Sequence, residues 1–91
     1  MKLPRRHDAT ITRQDFLRIL PAATGEADIR ESPGIFSGRG WSLRLTSIPP
    51  LEIGSVRLER HRVEIEFDGL TTEEQGRFMQ RFSLHFQRGG G

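Results

Sequence analysis

Trp41, Leu43 and Leu45 alternate with Ser42, Arg44 and Thr46, the two-residue period of a strand with one buried face. A second such stretch follows at 56–68, but its period does not hold. Val56 and Leu58 fall on even positions, whereas Val63, Ile65 and Phe67 fall on odd ones, so the apolar parity changes across residues 59–62. A bulge there would add one residue and re-aim the side chains, and a tight turn would split the stretch in two. Glu59-Arg60-His61-Arg62 lacks the Gly or Asn that a two-residue turn favours, so the pattern favours a bulge. Glu64, Glu66 and Asp68 form an acidic stripe opposite the buried face, which Arg57 or Arg44 on a neighbouring strand could pair. Between the two stretches, Pro49, Pro50 and Gly54 predict a loop over residues 49–55.

The period lengthens at both ends of the chain. Thr12 suits an N-cap, Asp15 takes the capping-box position, and Ile11 is placed to staple onto Phe16, so a helix should begin at Arg13. Phe16, Leu17, Ile19 and Leu20 give it one broad apolar face. Pro21 should end or kink it, with residues 22–24 adding a last turn before Gly25. Residues 26–40 predict a weak edge strand near 27–31 and then a turn, a hairpin arrangement. Two overlapping capping boxes, Thr71 with Glu74 and Thr72 with Gln75, start a second helix. Its stripe is Phe78, Met79, Phe82, His85 and Phe86, and Gly76 is its one discord, costing about 1 kcal/mol relative to Ala. Residues 1–10 hold Lys2, Arg5, Arg6 and His7 around Pro4 without periodicity and read as a mobile basic arm.

These elements predict one α+β domain over residues 11–88, a small antiparallel sheet of three to four strands covered by two helices in the order α-β-β-β-α, followed by a glycine tail at 89–91. The 91 residues allow one core and no second domain. Open sheet edges and a Phe-rich helix make a second copy of the chain a candidate partner.

Composition narrows the chemistry. The sequence pI near 10.4 coexists with a formal net charge of only +2, because all but one of the 14 basic residues are Arg. The chain has no Cys, which removes disulfides, thiolate metal sites and Cys nucleophiles. No apolar run reaches the roughly 18 residues of a membrane span, so the expectation is a cytoplasmic protein without membrane contact. His7, His61 and His85 fall in different elements without metal-ligand spacing, and His61 reads as a surface residue at the bulge. No serine sits in a nucleophile elbow and no glycine-rich run has the phosphate-cradling spacing, so neither an enzyme nor a cofactor is expected.

Three functional readings remain. A protein-interaction module would use Arg77, Phe78, Arg81, Phe82 and Phe86 of the last helix, or an open strand edge. A nucleic-acid binder would use Arg5, Arg6, Arg57, Arg60 and Arg62, against the repulsion of the acidic stripe. In the third reading, residues 84–91, ending in Gly89-Gly90-Gly91, resemble the tails of ubiquitin-like and sulfur-carrier proteins. That resemblance implies a C-terminal carboxylate that is adenylated and then thiolated or conjugated, with Gly90 and Gly91 as the modified tail. Those families use a β-grasp fold with a strand leading into the tail, whereas an amphipathic helix leads into it here, followed by a third glycine.

Overall fold

The computed structural model describes residues 2–89, with side chains through residue 87. The elements run β1 (Arg6–Thr10), α1 (Arg13–Thr24), β2 (Arg30–Ser32), β3 (Ile35–Gly38), β4 (Trp41–Ile53), β5 (Val56–Phe67) and α2 (Thr72–Gly89). The five strands form one sheet in the order β1-β5-β4-β3-β2, antiparallel at every pairing. The α+β class holds, but there are five strands rather than three or four, and the order is β-α-β-β-β-β-α.

The additional N-terminal strand lies in the segment read as an arm. Arg6–Thr10 pairs with β5 from Arg6↔Glu64 to Thr10↔Arg60. It has no apolar alternation because it is an edge strand whose outward positions Arg6, Asp8 and Thr10 carry polar side chains, so hydrophobic periodicity is silent there. Just before it, the Leu3 N–H donates to Ser83 Oγ of α2 at 2.7 Å, which ties this end of the chain to the helix layer.

Both helices cover the same sheet face. Phe16 and Leu20 of α1 and Phe82 and Phe86 of α2 form a single core cluster with Phe36, Trp41, Leu43, Leu45, Val63 and Ile65 of the sheet. Phe82 stacks on Phe78 and packs against Phe86 at a centroid distance of 4.5 Å, and Phe16 stacks on Phe86 at 4.8 Å.

The helix signals hold in part: the N-cap predicted for α1 is present, but the Asp15 carboxylate does not close the capping box and pairs with Arg18 at 3.4 Å. The Asp15 N–H donates to Thr12 Oγ1 at 3.1 Å, and Thr12 is the N-cap of α1. Of the two overlapping capping boxes, Thr71 with Glu74 is the one that forms. The Thr71 N–H donates to Glu74 Oε1 at 2.9 Å and the Glu74 N–H to Thr71 Oγ1 at 3.1 Å. Those bonds hold the Glu74 carboxyl below its ordinary range, the backbone bond being the main cause. Pro21 does not end α1, which runs on to Thr24, where Gly25 caps it at φ +76° and donates to the Pro21 carbonyl at 2.8 Å. Arg81 of α2 also donates to the Ala22 carbonyl at 2.8 Å, so one helix supplies part of the other's cap.

The predicted edge strand at 27–31 lies slightly later, at Arg30–Ser32, and forms a hairpin with β3 through Pro33-Gly34. Residues 49–55 are not a loop. The chain stays in strand through both prolines to Ile53, and Gly54-Ser55 alone makes the turn, with Ile53 opposite Val56. Gly54 takes φ +59°, as the first position of a two-residue hairpin turn with glycine leading requires.

Candidate functional site

The long β4–β5 hairpin resolves the parity change. β5 is unbroken from Val56 to Phe67, with no bulge across residues 59–62. The extra residue sits on β4. Ile48 pairs with Arg60 and Leu51 with Leu58, so Pro49 and Pro50 stand opposite Glu59 alone. In a regular strand alternate side chains take opposite faces. Val63 and Ile65 face the helices, as does His61, while Val56 and Leu58 face the other way with Arg60, Arg62, Glu64 and Glu66. The bulge on β4 brings Leu51 and Ile53 onto that same outer face, opposite Leu58 and Val56.

The outer end of the hairpin, beyond the reach of the helices, therefore carries two apolar rungs, Leu51/Leu58 and Ile53/Val56. Leu51 is 39% exposed, Ile53 60%, Val56 54% and Leu58 38%. Four large apolar side chains displayed together on one strand pair form a surface of the kind that marks a contact site. Ile48, half-buried, continues it toward the body of the sheet. On the reverse face of the same arm Arg57 meets Glu52 at 3.8 Å.

Inward from the rungs, the outer face becomes a mosaic of paired charges. Arg62 Nε donates to Asp8 Oδ1 at 2.9 Å, and Arg60 Nη2 lies 3.7 Å from Asp8 Oδ2. Arg6 reaches Glu64 at 3.8 Å. The hydrogen bond from Arg62 is the main reason the Asp8 carboxyl is held below its ordinary range, with the positive charges of Arg62, Arg60 and Arg6 acting in the same direction. Arg62 is raised in turn, first by that bond to Asp8.

The structure brings Arg6, Arg60 and Arg62 together on this face, each beside a carboxylate, and places Arg57 on the reverse side of the arm. Arg5 lies with its guanidinium 5.9 Å from the Phe67 ring centroid. The basic set named for nucleic acid is thus largely matched by acids, and it does not form one continuous patch. Arg44 stands directly across from Glu64, but the ion pair on Glu64 is made by Arg6, and Arg57 pairs with Glu52 instead.

The helix residues named for partner binding divide. Phe82 and Phe86 are buried and Phe78 half-buried between Trp41, Phe67 and Phe82, so these rings are packing residues and present little surface. Arg77 and Arg81 border an open groove of about 910 Å³ between the end of α1 and the start of α2. Arg77 is paired with Glu73 at 3.0 Å, and Arg81 is engaged with the α1 carbonyl. Glu26 closes one wall by accepting from the Arg39 N–H at 2.9 Å and from the Trp41 indole. Gly90 and Gly91 lie outside the described residues.

His61 is not the surface residue expected at a bulge. It is 5% exposed, its Nδ1 is 2.9 Å from the Ile11 carbonyl, and its Nε2 is 3.5 Å from Glu59 Oε2. That same Glu59 oxygen accepts from the Arg13 N–H at 2.9 Å. The pair clamps the start of α1 to β5, which is a structural role. Among the described residues no cluster of His, Asp and Glu has the arrangement of a metal site. No described helix is long and apolar enough to cross a membrane.

Among known protein families, residues 5–91 match the one described as Archaeal MoaD-like protein. No curated protein matches the chain.

Proposed function

We propose that this chain, which belongs to the archaeal MoaD-like family, is a small non-enzymatic protein that works by docking onto a protein partner through the outer face of its β4–β5 arm. One observation carries this reading: the rungs Leu51/Leu58 and Ile53/Val56 keep apolar side chains in water on an arm that extends beyond the helices. Leaving such side chains exposed gains nothing for the fold of the monomer, and each regains transfer free energy when a partner covers it. A photo-crosslinking residue at position 56, expressed in the cells that naturally make the protein, should form protein adducts, and the same residue at exposed position 80 on α2 should not. Absence of adducts at position 56 would overturn the reading.

A second reading is favoured by the family match, which runs through the terminal glycines to residue 91. In it the protein is a carrier whose Gly91 carboxylate attacks the α-phosphate of ATP, releasing pyrophosphate, after which a sulfur nucleophile displaces AMP. This requires a free Gly91 carboxylate in the mature protein. The described part of the chain adds that α2, rather than a strand, delivers the tail. Intact-mass measurement of the protein from its native cells tests this reading, which fails if no thiocarboxylate or conjugate is found at Gly91. Docking and carrying are compatible, because a carrier must also be held by the enzyme that loads it.

A further inference from the structure

We infer that the groove between the end of α1, the β3–β4 turn and the first half of α2 is a separate contact site, which takes an acidic segment of a protein partner. The site goes beyond the docking reading above and does not depend on the arm, because the groove lies at the Trp41 end of β4 and the arm at its Ile53 end. The pattern of ion pairs points there. Among the described residues, Arg5, Arg30, Arg39, Arg44 and Arg81 are the arginines with no carboxylate within ion-pair distance. Three of them, Arg30, Arg39 and Arg81, line this one groove. The outer sheet face, by contrast, has Arg6, Arg60 and Arg62 each beside an acid.

The fold holds these cations in place. Arg81 Nε donates to the Ala22 carbonyl at 2.8 Å, a neutral partner that leaves the charge unmatched, and its guanidinium lies against Gly25, where a side chain would crowd it at 3.0 Å. Arg39 stands in the two-residue turn between Gly38 and Trp41, with its backbone N–H on Glu26 Oε1. Arg30 opens β2, across from Ser37. The acids on the same walls are mostly engaged elsewhere. Glu26 accepts from the Arg39 N–H and the Trp41 indole, and Glu74 is held by Thr71 in the cap of α2. Asp28, exposed, is the opposing charge that remains.

Charge complementarity sets the class of occupant, since planar guanidinium groups recognise oxyanions by paired hydrogen bonds. Small-molecule sites are concave and mainly apolar, whereas this groove is open and walled by charged side chains, so it suits a chain segment lying across it. A nucleic-acid backbone fits less well. Glu26, Asp28 and Glu74 stand on the same walls against an unbroken row of phosphates, and Trp41, 4% exposed, offers no ring for a base to stack on. A peptide can set carboxylates beside the arginines and uncharged residues beside the acids. Such exposed pairs are individually weak, so binding should be salt-sensitive, with a Kd on the order of 1 mM for an isolated peptide.

NMR titration of the full chain at low salt tests this. The probe is a short peptide alternating Glu and Gly, compared with the same peptide carrying Gln for Glu and with a short single-stranded oligonucleotide. Trp41 is the only tryptophan, so its indole N–H reports from the groove wall as a single signal. The expected result is a saturable shift of that signal and of the Arg30 and Arg39 amides with the acidic peptide, reversed by salt and absent with the Gln peptide. Arg30→Gln/Arg39→Gln should weaken binding about fivefold and Asp28→Asn should tighten it about twofold. Arg5→Gln/Arg44→Gln removes two equally unpaired charges elsewhere and should leave binding unchanged. Melting of each variant should match wild type, because every substituted side chain is exposed. No shift with the acidic peptide overturns the inference, as does undiminished binding by Arg30→Gln/Arg39→Gln or an equal loss in Arg5→Gln/Arg44→Gln. Tighter binding of the oligonucleotide than of the peptide overturns it in favour of nucleic acid.

Discussion

Leu58 and Val63 stand on one unbroken strand with their side chains on opposite faces of the sheet, Leu58 across from Leu51 in water and Val63 across from Leu45 in the core. Two apolar residues of similar character thus do different work. Truncating Val63 to Ala removes methyl groups from a site that is 1% exposed and should cost about 1–2 kcal/mol. Leu58→Ser should change stability by less than about 0.5 kcal/mol. Urea unfolding of the two variants reads this contrast, and equal losses would mean that the arm's outer face is covered in the monomer.

Gly76 lies within α2, and a methyl group there would meet only the end of the flexible Lys2 side chain, at 3.7 Å. The glycine therefore serves no close approach to the sheet. Gly76→Ala should stabilise the protein by about 0.5–1 kcal/mol, which for a domain of this size raises Tm by roughly 2–8 °C. Calorimetry checks it, and a lowered Tm would indicate a contact at this position that the geometry does not contain.

The clamp between β5 and the start of α1 depends on His61, whose Nδ1 meets the Ile11 carbonyl. His61→Ala leaves that buried carbonyl without its partner and opens a cavity, so a loss of about 2–4 kcal/mol is expected. Denaturant unfolding measures the loss. Hydrogen exchange should also show faster opening in the first turn of α1 than in α2, and a uniform increase over both helices would argue against a local clamp.

Glu74 predicts a pH dependence whose sign follows from its cap. Its carboxyl is held below the ordinary value of 4.5 in the folded chain, so the stabilisation is present above that pH and is lost as pH falls through the lowered folded value. Melting curves of wild type and Glu74→Gln should differ most near neutral pH and converge only once pH has fallen below the lowered folded value. A gap that persists in acid would assign the capping to the side-chain shape rather than to its charge.

Capping chemistry was readable where it is local, because Thr12, Thr71 and Glu74 act on backbone groups a few positions away, whereas the Asp15 carboxylate turns to Arg18 instead. The core face of the central strands was readable for a related reason, since Trp41 through Leu45 and Val63 through Phe67 keep a strict period. The strand Arg6–Thr10 was not, because pairing with residues far along the chain holds it in place and its outward side chains are polar. The parity change was visible at once, but its meaning was not: β5 runs without an offset, so the change simply turns Val56 and Leu58 to the outer face, and the bulge at Pro49-Pro50, seen only in the pairing register, brings Leu51 and Ile53 to the same side. The outer apolar face was thus encoded in the sequence and concealed by the assumption that every apolar side chain belongs to one core.

The register of β1 also dictates an order of events. Asp8 and the Arg62 that binds it are 54 residues apart, so during synthesis the first strand leaves the ribosome long before its partner exists. Pairing of β1 therefore waits until β5 has been made, so its contacts are among those with the longest loop to close.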